Sequence, residues 1–170
     1  MNMKLLSAIA ITALLFSGCA ESTKATTGKK MMKSRYQSVK MEQAQLLMDG
    51  KEKTSCTVCG MKLPMFYKTS HASTVDGHQE QFCSIHCLVK TQDGGKKVTD
   101  MQVVDNESLK FIAVADAWYV VKSSKPATMS TVSKYAFKDK AKAEAFAKEF
   151  GGEVMNFEGA LAVAKEDFKK

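Results

Sequence analysis

The stretch Ser55-Cys56-Thr57-Val58-Cys59-Gly60-Met61 constrains this chain more than any other. Two cysteines three residues apart turn both thiolates toward one ion, because the short loop between them reverses the chain. Thiolate and thioether sulfur favour Cu(I), and Zn(II) competes for the thiolates alone. A second cluster, Phe82-Cys83-Ser84-Ile85-His86-Cys87, adds two thiols and an imidazole. The expectation is that both clusters, or the first alone, hold a transition metal, and that the remaining chain delivers, supports or anchors that site.

A Cys-x-x-Cys pair by itself fits metal binding, thiol–disulfide exchange or a structural disulfide. Met61 tilts the choice toward copper, since a thioether contributes to copper binding and little to exchange. No thioredoxin-like strand–turn–helix surrounds the pair. In the second cluster, Ser84 as a helix N-cap puts Cys87 in the first turn, where the helix dipole stabilises a thiolate. Cys83 and Cys87 then either complete a four-thiolate site of the structural zinc kind or form a disulfide, and His86 lies between them. His71 and His78 flank a hairpin and are candidate imidazole ligands, with the plainer reading of exposed strand-end histidines. Met65 is a candidate further sulfur ligand. Met129 reads as solvated, and Trp118 and Phe146 as core.

The chain starts with Lys4, an apolar run from Leu5 to Phe16, and Ser17-Gly18-Cys19. The run is too short to span a membrane and suits a cleaved secretory leader over residues 1–18. A cysteine directly after small residues resembles a bacterial lipobox, which implies diacylation of Cys19 and a tether to a membrane surface. Ala20 points to the outer membrane. The formal charge of +7 falls by one with the leader, leaving a modestly basic envelope protein suited to anionic headgroups or an acidic partner. Nucleic acid is excluded as a partner by compartment and by lysines too scattered to form a stripe. Once Cys19 is lipidated, four cysteines remain, and outside the cytoplasm an even number normally suggests disulfides.

Residues 19–38, rich in Ser, Thr, Lys and Gly, read as a flexible tether. Val39 to Met48 reads as a short helix ended by Asp49-Gly50. Met31, Met32, Met41 and Met48 are either accessory copper-handling thioethers or ordinary apolar residues. Met65 to Ala72 and His78 to Phe82 read as strands around an Asp76-Gly77 turn. A helix from Ser84 to about Gln92 stops at Asp93-Gly94-Gly95, and Met101 to Val104 is a strand. In the second half, Phe111 to Val114, Trp118 to Val121 and Tyr135 to Phe137 read as strands. The helix Lys140 to Phe150 has Ala143, Phe146, Ala147 and Phe150 on one face. Gly151-Gly152, a strand Val154 to Phe157 and a helix Gly159 to Phe168 follow. Phe82 and Phe137 each close a strand before a helix and a Gly-Gly pair, and that helix is two residues longer in the second copy. A duplicated unit, with chemistry only in its first copy, explains the pattern. No serine–histidine–acid set, phosphate-binding glycine loop or paired carboxylate is evident, so the chain reads as a non-enzyme.

The Cys19 lipobox, the Cys56-Thr57-Val58-Cys59-Gly60-Met61 motif, the following hairpin and Ser133-Lys134-Tyr135-Ala136-Phe137 through Gly151-Gly152 resemble NosL. These are the copper-binding lipoproteins that accompany nitrous oxide reductase. The resemblance implies an α+β fold of two tandem ββαβ units, related in shape to the organomercurial lyase family. On this view residues 39–108 form the first unit with the metal site, and 109–170 the second. It also implies a Cu(I) chaperone in the periplasm, delivering to nitrous oxide reductase or another envelope copper protein, with the metal role on Cys56, Cys59 and Met61. Cys83 and Cys87 lie outside the shared motif. The alternatives are a Zn(II)-stapled four-cysteine module and a thiol–disulfide protein of the envelope.

Overall fold

Two small antiparallel sheets with the same strand logic carry the described part of the chain, residues 35–167 of a computed structural model. The expected leader at 1–18, Cys19, Met31, Met32 and most of the expected tether lie outside the described residues. In the first sheet, β1 (His71–Val75) and β2 (His78–Phe82) form a hairpin. Its turn residues Asp76 and Gly77 both have positive φ, 49° and 87°, the backbone that matches the twist of two flanking strands. β2 leads through Cys83 and Ser84 into α1 (Ile85–Asp93). β3 (Val98–Val104) then returns to pair with the other side of β1, and β4 (Phe111–Ala113) adds to β3, giving the order β2-β1-β3-β4.

The second sheet repeats the order. β5 (Trp118–Val121) pairs with β6 (Lys134–Phe137) on one side and β7 (Glu153–Met155) on the other, with α2 (Lys140–Phe150) between them in sequence. In each copy the first strand is central and antiparallel to both neighbours. α1 has 9 residues and α2 has 11, the length difference that the Phe-to-Gly-Gly spacings predict. α2 starts where Asp139 accepts the Ala141 N–H at 2.8 Å, and it buries Ala143 and Phe146. α3 (Phe157–Asp167) closes the fold and packs on α1.

One core joins both sheets. Val75, Phe82, Leu88 and Val103 from the first half pack with Tyr119, Val121, Phe157 and Ala160 from the second. A smaller cluster of Val120, Tyr135, Phe137, Ala143 and Phe146 lies under α2. The expected boundary between 108 and 109 therefore falls within one sheet, since β4 pairs with β3 and not with the second-half strands.

Three local expectations are corrected. Met65 to Ala72 is not one strand: Leu63–Thr69 is a 3-10 segment and only His71 onward is extended. Pro64 in its first turn fixes φ and removes an amide donor, while Leu63, Phe66 and Tyr67 are buried there as core, not as a sheet face. Val39 to Met48 is not a helix beyond the turn Met41–Gln43. Its backbone is held instead by side chains. The Gln45 N–H donates to the Tyr67 hydroxyl (2.9 Å), Leu47 N–H to Gln81 Oε1 (3.0 Å), and Gln81 Nε2 to the Gln45 carbonyl (3.1 Å). The tether ends before residue 38. Tyr36 packs edge-on to Tyr135 at 5.3 Å, and buried Gln37 donates through Nε2 to the Pro126 and Ala127 carbonyls.

Candidate metal centre

The first cysteine pair sits on a tight knuckle whose neck is a short antiparallel ribbon. Ser55 pairs with Lys62, Cys56 N–H donates to the Met61 carbonyl at 2.9 Å, and Leu63 N–H donates to the Thr54 carbonyl at 2.8 Å. Gly60 closes the knuckle with φ 73° and its N–H on the Cys56 carbonyl. This left-handed backbone costs an L side chain about 1–2 kcal/mol. Thr57 ties the knuckle to β2, N–H to the Gln81 carbonyl at 3.3 Å and hydroxyl to Glu80 at 3.0 Å. Cys83 directly follows β2, so these bonds to Glu80 and Gln81 hold the knuckle beside it, with the Cys59 and Cys83 sulfurs 3.5 Å apart.

Cys83, just after β2, and Cys87, in the first turn of α1, supply the second pair. Ser84 takes the N-cap position with extended backbone, but its hydroxyl makes no capping bond. The Thr69 hydroxyl holds the Cys83 carbonyl at 2.9 Å.

All four cysteine sulfurs lie within 4.8 Å of one another. Cys59 and Cys83 are 3.5 Å apart, Cys83 and Cys87 3.7 Å, and Cys87 and Cys59 3.7 Å, with no disulfide among them. Met61 Sδ lies 3.7 Å from the Cys83 sulfur, making a fifth soft donor. Cys56, Cys83 and Cys87 are buried while Cys59 is exposed. The cluster is a pocket of sulfur with one open corner.

The sulfurs are electrostatically linked. The nearby Cys83 and Cys87 thiols hold Cys56 below the ordinary thiol range. Proximity to Cys56, together with burial, pushes Cys83 and Cys87 upward. Four thiolates this close repel unless a cation enters, so a bound metal takes the place of shared protons.

The remaining candidates lie elsewhere. Both ring nitrogens of His71 are engaged, Nδ1 with the Thr69 carbonyl and Nε2 with the Tyr119 hydroxyl, each at 3.1 Å. It is a buried bracket between the two sheets, neither a ligand nor an exposed strand end. His78 is exposed at the start of β2, next to the turn. His86 turns its Nε2 to Asp167 at 3.3 Å, and Asp167 also takes the buried Lys134 ammonium at 2.7 Å. Met65 is exposed on the 3-10 segment, and among the described residues the thioether in contact with the cluster is that of Met61. Met41 and Met129 are exposed, whereas Met48 packs on the core. Thr69 and the Lys134–Asp167 pair escape sequence reading, because nothing in their local pattern distinguishes them from ordinary surface residues.

A family model described as NosL matches residues 48–161. The chain is also similar to a solved structure, the crystal structure of the copper chaperone NosL from Shewanella denitrificans. The identity is 24% and the TM-score 0.52, covering 67% of this chain and 95% of that chain. No curated protein matches the chain.

Proposed function

The chain belongs to the NosL family, and from that premise we propose that it is a Cu(I)-binding chaperone that carries copper as cargo. The observation that carries this reading is the convergence of four cysteine sulfurs with the Met61 thioether at a corner open through Cys59. Thiolate and thioether together suit Cu(I). Capture begins with loss of thiol protons, and release proceeds by exchange, an incoming donor replacing one sulfur at a time from the Cys59 side. Lipid at Cys19 anchors the protein in the cell envelope, facing the periplasm, with the outer membrane as its site. The recipient is nitrous oxide reductase or another envelope copper protein. The solved copper chaperone of the same family supports the copper assignment.

One observation favours Zn(II) as a second reading. A tetrahedral ion with bonds of about 2.3 Å to four thiolates needs sulfur–sulfur edges of about 3.8 Å, and three edges here are 3.5–3.7 Å. Anaerobic titration of the reduced protein with each metal separates the two. The chaperone reading expects tight Cu(I) binding weakened by Met61→Leu, and transfer of copper from the loaded protein to the copper-free reductase. Tight Zn(II) binding insensitive to Met61, with no competition from Cu(I), overturns it in favour of a zinc-stapled module.

A further inference from the structure

Five sulfurs meet where a single tetrahedral ion uses four. The surplus donor is Met61, and its contact is with Cys83. Cys83 is the hub of the group, 3.5 Å from Cys59, 3.7 Å from Cys87 and 3.7 Å from Met61, and within 4.8 Å of Cys56. Burial separates a buried set, Cys56 and Cys87, from an outer set, exposed Cys59 and half-buried Met61, while Cys87 and Cys59 also lie 3.7 Å apart. Resting on the copper reading above, we propose that the site takes two Cu(I) ions sharing the Cys83 thiolate. The inner ion lies among Cys56, Cys83 and Cys87, and the outer among Cys59, Cys83 and Met61.

Charge favours the pair. With all four cysteines ionised, one Cu(I) leaves three uncompensated negative charges in a site where three of the four cysteines are buried. A second Cu(I) reduces that to two, the same residue that one Zn(II) leaves, and desolvated charge is costly. The thiol protons leave for solvent as the metals enter, and copper keeps its oxidation state throughout. The two ions also differ in access. The outer one, held by an exposed thiolate and a neutral thioether, exchanges first, while the inner one is retained and keeps the two cysteine clusters joined.

The test is native mass spectrometry of the full chain, reduced and oxygen-free, titrated in parallel with Cu(I) and Zn(II). The expected result is two copper ions but one zinc ion per chain, with a short copper–copper vector in X-ray absorption at two equivalents that is absent at one. Cys83→Ser lowers the copper capacity to one. Met61→Leu weakens the second copper roughly tenfold or more and leaves zinc unchanged. Circular dichroism checks the fold of each variant, and if Cys83→Ser does not fold, Met61→Leu decides. One copper in the wild type overturns the shared thiolate and leaves the chaperone reading standing. Two coppers insensitive to both substitutions also overturn it. Failure to bind any Cu(I) overturns both.

Discussion

At the scale of single residues, exposure separates side chains of identical chemistry. Cys59 is open to solvent, whereas Cys56, Cys83 and Cys87 are buried. In the metal-free, reduced protein an alkylating reagent therefore modifies Cys59 first. Peptide mapping after a short pulse finds the label there before the other three, and bound metal suppresses it. Equal labelling of all four contradicts the open corner. His71 shows how burial overrides a residue type's usual role. Desolvation lowers its pKa to about 3, only partly offset by its bond to the Thr69 carbonyl. Between that value and the unfolded 6.5 the unfolded chain binds a proton that the folded chain refuses. Stability from His71 is thus complete above pH 6.5 and is lost as pH falls toward 3, by up to about 1.4 kcal/mol per unit. Urea unfolding of the metal-free protein at pH 7 and pH 5 checks this against His71→Phe, which cannot titrate. The stability gap between wild type and variant shrinks by about 2 kcal/mol at the lower pH.

At the scale of elements, the copied unit depends on glycines with different constraints. Gly60 and Gly152 both have positive φ, 73° and 104°. A Cβ on Gly60 meets nothing within 4 Å, whereas on Gly152 it comes 2.6 Å from the Val121 carbonyl oxygen. Gly60→Ala costs about 1–2 kcal/mol of knuckle conformation, read as weakened metal binding with the fold intact. Gly152→Ala adds a backbone clash between β5 and the entry to β7 and destabilises the whole fold by about 3 kcal/mol or more. Thermal unfolding and metal titration of the two variants should rank them in opposite order. These elements also show what was legible in the sequence. The face of α2, the Asp76-Gly77 turn and the paired Phe–helix–Gly-Gly segments follow from local periodicity and turn chemistry, and all are found. The approach of Cys83 and Cys87 to the first pair was left open by the sequence, which allowed either a four-thiolate cluster or a disulfide between them; the structure brings all four sulfurs within 4.8 Å of one another. The 3-10 segment at Leu63–Thr69 was not legible, since Phe66 and Tyr67 signal burial as strongly as extension. Nor was the path of residues 36–47, whose partners Pro126, Tyr67 and Gln81 are distant in sequence. The same is true of β4, whose three residues carry no mark of which sheet they join.

At the scale of the molecule, contacts tie the two copies into one core. His71 of β1 stacks on Tyr119 of β5 with ring centroids 6.0 Å apart. Asp105, after β3, accepts the Lys138 N–H at 3.0 Å and bridges to Ala136 of β6. His86 of α1 and Lys134 of β6 meet on one oxygen of Asp167 in α3. Lys134 is buried, so removing its carboxylate leaves an uncompensated charge, a loss of about 3–5 kcal/mol. Asp167→Ala therefore destabilises the first half and the second together, although the residue is in neither sheet. A shared core also predicts a single transition for the wild type. The one tryptophan, Trp118, reports on the second sheet, and thiol accessibility at Cys83 and Cys87 reports on the first. In metal-free, reducing urea titrations the two probes give the same midpoint, and both move to lower urea by the same amount in Asp167→Ala. Separate midpoints mean that the first unit opens alone, so that the metal site is assembled by cargo and not by the fold. Coincident midpoints mean that the cluster is preorganised by contacts from both copies. The thiol-free second copy then serves as the scaffold against which the first holds its sulfurs together.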